Sequence, residues 1–364
     1  MQIPFNRPYR APRELDYLAE AAASGHTSGD GPFTRRATAL VESLTGAAHA
    51  LLTTSCTHAL ELCALLLDLK PGDEVIMPSF TFVSTANAFA LRGAVPVFVD
   101  CRPDTLNLDE NLVEAAVTPR TRAIVVVHYA GVACAMDTIL AVAGRYGLAV
   151  VEDNAHGLGG SYRGRPLGSF GALATQSFHA TKNVSCGEGG ALLINDPSLV
   201  ERAEIIREKG TDRSRFFRGQ VDKYRWMDIG SSYLLSDLLA AALTAQLEAF
   251  GEIQRARHEV FDAYAAAFGF SMPPGHPAHL YYLLMPDLAA RQELIAHLRG
   301  RGVQATFHYQ PLHDAPAGER LGRTGPGGCP VTSDVADRLV RLPLWAGLTP
   351  SDVDRVISSV AVPA

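Results

Sequence analysis

The apolar positions of this chain follow two rhythms. Short runs at 74–78, 95–100, 123–128, 148–153, 174–179 and 190–195 stand out, most of them β-branched and nearly continuously apolar. Runs this short and continuous read as strands buried on both faces of a mostly parallel sheet. Between them, residues 55–68, 81–92, 137–146 and 198–208 carry helical spacing. Strands alternating with helices predict a layered α/β domain.

A longer helical pattern runs from Leu234 to Phe268, with Ser236 or Asp237 as its cap. The Pro- and Gly-rich patch at 271–277 then marks a boundary. Beyond it lie the run LYYLLM from Leu280, a helix near 289–300, the segment VQATF at 303–307, and helices near 332–340 and 350–361. The expectation is an N-terminal arm and large α/β domain over 1–250, then a smaller α+β domain over 251–364. The stretch 209–230 is polar, Arg-rich and aromatic, and too long for a plain connector; long ordered loops are often functional.

Charge and cysteines narrow the function classes. With 32 Lys and Arg against 38 Asp and Glu, the net charge is −6 and the basic residues are scattered. That argues against a nucleic-acid or membrane-surface partner. The start, MQIPFNRPYR, lacks the apolar stretch of a signal peptide, and no apolar run is long enough for a bilayer. A cytoplasmic protein with six reduced, dispersed cysteines is expected, and no metal site. His308 and His313, five apart, suit neither one helix face nor one strand face.

Several segments could carry chemistry. The helix at 55–68 opens with TTSCT, either a plain N-cap or a cradle for an anion. Asp153 ends an apolar strand, where α/β sheets bind ligands. It could pair with a protonated ring nitrogen or simply cap the next turn. His156 follows three residues later. Lys182 sits among Ala, Thr, Ser and Gly in SFHATKNVSCGEGG, not in a solvated surface pattern. Partial burial would lower its pKa toward what an imine-forming or basic amine needs. Helix start, aromatic segment PSFTFVSTAN (78–87), strand-end Asp, then Ser and Lys are, in that order, what a pyridoxal 5′-phosphate (PLP) enzyme requires.

At these residues the sequence resembles the DegT-type sugar-nucleotide aminotransferases, a branch of the fold-type I PLP enzymes. The likeness runs from IPFNRP (3–8) through PGDEVIMPSFTFVSTANAF, VEDNAHGLGG, SFHATKN and FHYQPLH (307–313) to LPLWAGLT (342–349). Within that family, DGPFTRR, AEIIREKGTDRSRFFRGQVDKY and DIGSSYLLSD are most similar to the dTDP-4-amino-4,6-dideoxygalactose transaminases. The resemblance implies a large domain with a seven-stranded-type, mostly parallel sheet flanked by helices, and a smaller C-terminal domain.

It also implies roles. Lys182 would carry PLP as an imine and then move protons; Asp153 would pair with the ring nitrogen. Phe82 would lie over the ring, and His156 near its hydroxyl. Ser55, Cys56, Thr57 and Ser177 would hold the phosphate. The active sites would be shared across a homodimer, with Ser232 and Tyr233 facing the partner's cofactor. Two departures stand out: Gly230-Ser231-Ser232-Tyr233-Leu234 replaces the family's GYNYR, and Cys56 stands where many relatives have Gly.

L-glutamate is the expected donor, and C4 of a dTDP-4-keto-6-deoxyhexose the favoured acceptor. A nucleotide 4-keto-pentose, another keto sugar, a keto-cyclitol or a non-catalytic regulator are the alternatives. Arg213, Arg215, Arg218 and Lys223 could meet a diphosphate, and the turn carrying His308 and Tyr309 could close over the sugar.

Overall fold

The continuous apolar runs become one sheet in the computed structural model, which describes residues 2–360. Its strands are β1 (His49–Thr53), β2 (Glu74–Pro78), β3 (Val95–Val99), β4 (Thr121–Val127), β5 (Ala149–Asp153), β6 (Leu173–Ser177), β7 (Gly190–Ile194) and β8 (Arg323–Thr324). The order across the sheet is β1-β7-β6-β5-β4-β2-β3-β8. Every strand is parallel to the rest except β7, which runs against both neighbours. Ile124, Val125 and Val126 show why the runs are unbroken: all three are buried, because helices cover both faces. Each such side chain contributes about 1.5–3 kcal/mol.

Seven strands form the expected sheet, and β8 is a two-residue addition from the C-terminal part. A buried carboxylate anchors it: Arg323 Nη2 donates to Glu74 Oε2 at 2.7 Å, and Arg120 binds the same side chain. Glu74 is pulled down to about 2, because these bonds and that from Thr118 outweigh the cost of burial.

The expected helices form at Cys56–Leu66, Val83–Ala90, Met136–Tyr146 and Val200–Arg207, the last entered through a short 3-10 turn. The long pattern from Leu234 breaks into two helices, Asp237–Glu248 and Phe250–Phe268. Ala249 between them has left helical geometry, with ψ near 6°, and its carbonyl accepts from Glu252 and Ile253. Gly251, in the first turn of the second helix, is a weak signal beside that break, and the apolar spacing reads straight through it. Ser236 is the cap, accepting from Leu239 N. Asp237 instead accepts from Thr34 N (2.7 Å) and Phe33 N (3.3 Å), binding the start of helix Pro32–Thr45.

Near the C-terminus, Tyr281–Leu284 pairs antiparallel with Leu339–Leu342, flanked by helices Leu288–Gly300, Pro330–Arg338 and Pro350–Val360. Residue 361, expected to end the last helix, lies outside the described residues. The segment 303–307 makes only isolated bridges, Val303 to Ile3 and Thr306 to Arg341, so it is not a strand. Among the described residues no helix is long and apolar enough to cross a membrane.

Candidate active site

Parallel strands of an α/β sheet expose their carboxyl ends along one edge, where ligands bind. Here β1, β2, β4, β5 and β6 all end on one cavity of about 450 Å³, through Ser55, Thr81, Val127, Asp153 and Ser177. That size suits a cofactor-bearing site. The register aligns Thr53, Gly190 and Ser177 across β1, β7 and β6.

One end of the cavity is built for an anion. Ser55 caps helix Cys56–Leu66, its hydroxyl accepting from His58 N at 3.1 Å. Cys56 and Thr57 follow it, where N–H groups have no acceptor inside the helix and the dipole favours negative charge. Gly190 is required there: a Cβ would lie 2.4 Å from Cys56 N. Thr57 Oγ1 and Ser84 Oγ are 2.8 Å apart at the same rim, and Ser177 lines it. Burial and the nearby Asp153 push the Cys56 thiol up to about 12, so it is inert as a nucleophile.

Asp153 sits deeper. Burial raises its pKa, against bonds from Thr85 Oγ1 (2.7 Å) and Ala155 N (3.2 Å) and the charge of Lys182. Among the described residues its hydrogen-bond donors are these two neutral groups. A buried carboxylate held by neutral donors fits a positively charged ring nitrogen. Thr85 lies within the aromatic segment 78–87 but was not expected as a contact; its hydroxyl is oriented by Thr81 at 2.8 Å.

Lys182 comes from the excursion between β6 and β7. Phe178 N to Gly189 O and Ala180 N to Gly187 O, both 2.8 Å, extend the β6–β7 pairing and present the lysine to the cavity. Burial lowers its pKa to about 8, while Cys56 and Asp153 pull the other way. Such an amine is neutral part of the time near pH 7, as a nucleophile or base must be. Acidic pocket floor, low-pKa lysine and anion cradle together fit PLP.

The opposite wall carries His156, His308 and Tyr309, and Phe82, still 57% exposed, stands at the mouth. His308 stacks on Tyr309 at 3.8 Å and meets Tyr129 Oη at 3.2 Å. Burial, with the charges of nearby Lys182 and Arg341, drives His156 and His308 far below their usual range, so both are neutral. Two further cavity residues, Arg341 and His279, had not been expected. Arg341 donates to His308 Nε2, lies over the Phe5 ring at 4.8 Å, and has a buried Nε without a partner. Its sequence signal was a lone charge inside the apolar run LVRLPLW.

Ser232, Tyr233, Arg213, Arg215 and Arg218 do not line this cavity. Ser232 is exposed, and Tyr233 is buried beside His58 with its hydroxyl 3.4 Å from Glu61. Each arginine has a glutamate: Arg213 with Glu208, Arg215 with Glu201, Arg218 with Glu204. Lys223 is exposed. The same stretch exposes Phe217, Tyr224 and Trp226. No group of His, Cys, Asp or Glu among the described residues is set to hold a metal.

Comparison with known proteins agrees with this chemistry. The chain is 34% identical over 376 residues to the spore coat polysaccharide biosynthesis protein SpsC of Bacillus subtilis, covering 98% of this chain and 96% of that protein. Its structure matches the aminotransferase TlmJ of Streptoalloteichus hindustanus at 33% identity and TM-score 0.90, covering 98% and 97% of the two chains. It also matches Helicobacter pylori PseC, an aminotransferase involved in the biosynthesis of pseudoaminic acid, at 25% identity and TM-score 0.90, over 99% and 98%. Residues 8–361 match the DegT/DnrJ/EryC1/StrS aminotransferase family, and the chain belongs to that family of PLP-dependent aminotransferases.

Proposed function

We propose that this enzyme moves the amino group of L-glutamate to C4 of a nucleotide-linked 4-keto sugar, with a dTDP-4-keto-6-deoxyhexose as the favoured acceptor. The observation that carries the site is Lys182 and the buried Asp153 lining one cavity whose far end is a helix start. The acceptor class rests on the family and on relatives whose names refer to polysaccharide and pseudoaminic acid biosynthesis.

In this reading Ser55, Cys56, Thr57 and Ser177 hold the phosphate of PLP, Asp153 its ring nitrogen, His156 its ring oxygen, and Phe82 covers its face. The cofactor supplies an electron sink for the carbon that gains or loses the amine. The chain does the rest. Asp153 keeps the ring nitrogen charged, and Lys182 takes and returns the proton that moves at the reacting carbon. Arg341 supplies positive charge to the wall on which His308 and Tyr309 face the substrate. The exposed Ser232 serves the partner subunit in a cytoplasmic homodimer, while Tyr233 is held inside its own chain. The division into a large unit over 1–250 and a small one over 251–364 belongs to the same proposal.

The test is a panel of nucleotide keto sugars and keto-cyclitols with glutamate as donor, read by product mass. Amination of a dTDP-4-keto-6-deoxyhexose at C4 is expected. Amination of a pentose or cyclitol instead would replace the acceptor, and no amination of any compound would overturn the reading.

A further inference from the structure

Two buried imidazoles stack on the inner wall of the cavity, His156 and His279, 4.1 Å apart and 25° from parallel. Their hydrogen bonds fix opposite tautomers. Ala130 N donates to His156 Nδ1 at 3.3 Å, so the ring proton of neutral His156 is on Nε2. That nitrogen lies 3.5 Å from Tyr309 Oη.

On His279 the order reverses. Asn183 Nδ2 donates to Pro277 O at 2.8 Å and to Gln254 Oε1 at 3.1 Å, which orients the amide. Asn183 Oδ1 then accepts from His279 Nδ1 at 2.8 Å. Among the described residues His279 Nε2 has no hydrogen-bond partner, and the residue lines the cavity.

The backbone around this pair is costly to make. Ala130 and Ala278 are both left-handed, at φ 57° and 47°, and one serves each ring: Ala130 donates to His156 and Ala278 precedes His279. Non-glycine residues adopt this region at a cost, and such strain concentrates at functional sites. Gly131, at φ +80°, lets the two turns meet, since a Cβ there would lie 2.3 Å from Pro277 Cδ. Behind them the buried Arg257 donates to the carbonyls of Ala278 and His279. A histidine serving only the core would have both nitrogens satisfied. His279 is locked through one and turned to the cavity.

We propose that His279 is a positioning residue for amino transfer: stacked on His156 and locked by Asn183, it holds His156 so that Nε2–H faces the ring oxygen of the cofactor. The proposal rests on the reading of the cavity as the PLP site. Burial, Lys182 and Arg341 disfavour protonation of both rings, and Arg257 adds to this at His279.

A donor to the ring oxygen favours its anionic form, so losing the alignment raises the pH at which the bound cofactor's visible absorbance titrates. In PLP-loaded full-length enzyme, His279→Ala should raise that midpoint by about half a unit or more and lower kcat about tenfold, with KM for glutamate moved less than about threefold. His279→Phe, which keeps a flat ring for the stack, should restore most of both. In a His156→Ala background, His279→Ala should add almost nothing, because the two residues act as one unit. Asn183→Ala, which frees the ring without removing it, should move the midpoint the same way by less.

An unmoved midpoint in both His279→Ala and Asn183→Ala would overturn the proposal. So would equal shifts with and without His156, or His279→Phe behaving like His279→Ala. A wild-type chain that develops no visible absorbance with PLP would instead overturn the reading of the cavity itself.

Discussion

Glu152 and Asp153 are neighbours on one strand, both buried, and they live in opposite electrostatic worlds. Strand alternation sends them to opposite faces. Glu152 accepts from His128 Nε2 at 3.0 Å and from three backbone N–H groups, of Gly168, Phe170 and Gly171, at 2.6–2.9 Å. Burial alone would raise its pKa, but these bonds outweigh it and the net shift is downward. Asp153 has two neutral donors and an open cavity, and its shift is upward. The first carboxylate is finished by the fold. The second is left incomplete by the fold, which is the mark of a group meant for a ligand.

The contrast can be broken at either residue. The largest expected effect is on catalysis: Asp153→Ala should lower turnover by about a thousandfold or more while some cofactor still binds. Steady-state kinetics beside a PLP titration checks this, and near-normal turnover would put the ring elsewhere. Glu152→Ala should act on stability, costing about 3–5 kcal/mol, because it strands His128 and three backbone donors. Denaturant unfolding of the cofactor-free protein measures it, with Asp153→Ala as the contrasting variant that costs little.

The pH dependence sharpens the same comparison. Glu152, lowered in the fold, contributes stability above the unfolded carboxylate range, about pH 4, and that contribution is lost as pH falls through the folded value. Asp153, raised in the fold, does the reverse. Its charge destabilises the cofactor-free protein at neutral pH, and the penalty fades as pH falls through its folded value. Asp153→Asn should therefore stabilise the cofactor-free protein at pH 7 and lose that advantage in acid. Glu152→Gln should be destabilised at pH 7 and converge on wild type in acid. Unfolding midpoints across pH would show both slopes.

The smallest effects belong to the 209–230 stretch. Arg215 and Arg218 each already hold a glutamate at the surface. Arg215→Ala and Arg218→Ala should each change stability by less than about 1 kcal/mol and leave KM for the nucleotide sugar within about twofold. A tenfold rise in KM would bring this stretch into the substrate site.

What could be read from the sequence follows from how local each feature is. The strands at 74–78 and 123–128 were legible because burial on both faces leaves an unbroken apolar run. Lys182 and Asp153 were legible because each stands beside a strand end in an unusual setting. That Glu152 is satisfied and Asp153 is not was hidden, since their partners are decided by the turn at 168–171 and by Thr85. His279 and Arg341 were missed for the same reason: they reach the cavity from segments more than ninety residues beyond Lys182. The break at Ala249 and strand β1 were missed although Gly251 and Gly46 stand beside them, because a lone Gly near a helical pattern is weak punctuation.

The most direct test of the account is to locate the cofactor on the chain. PLP-loaded protein, reduced with borohydride, digested and analysed by mass spectrometry, should carry a single pyridoxyl adduct on Lys182, absent from Lys182→Ala. An adduct on another lysine, or one that survives in Lys182→Ala, would contradict it.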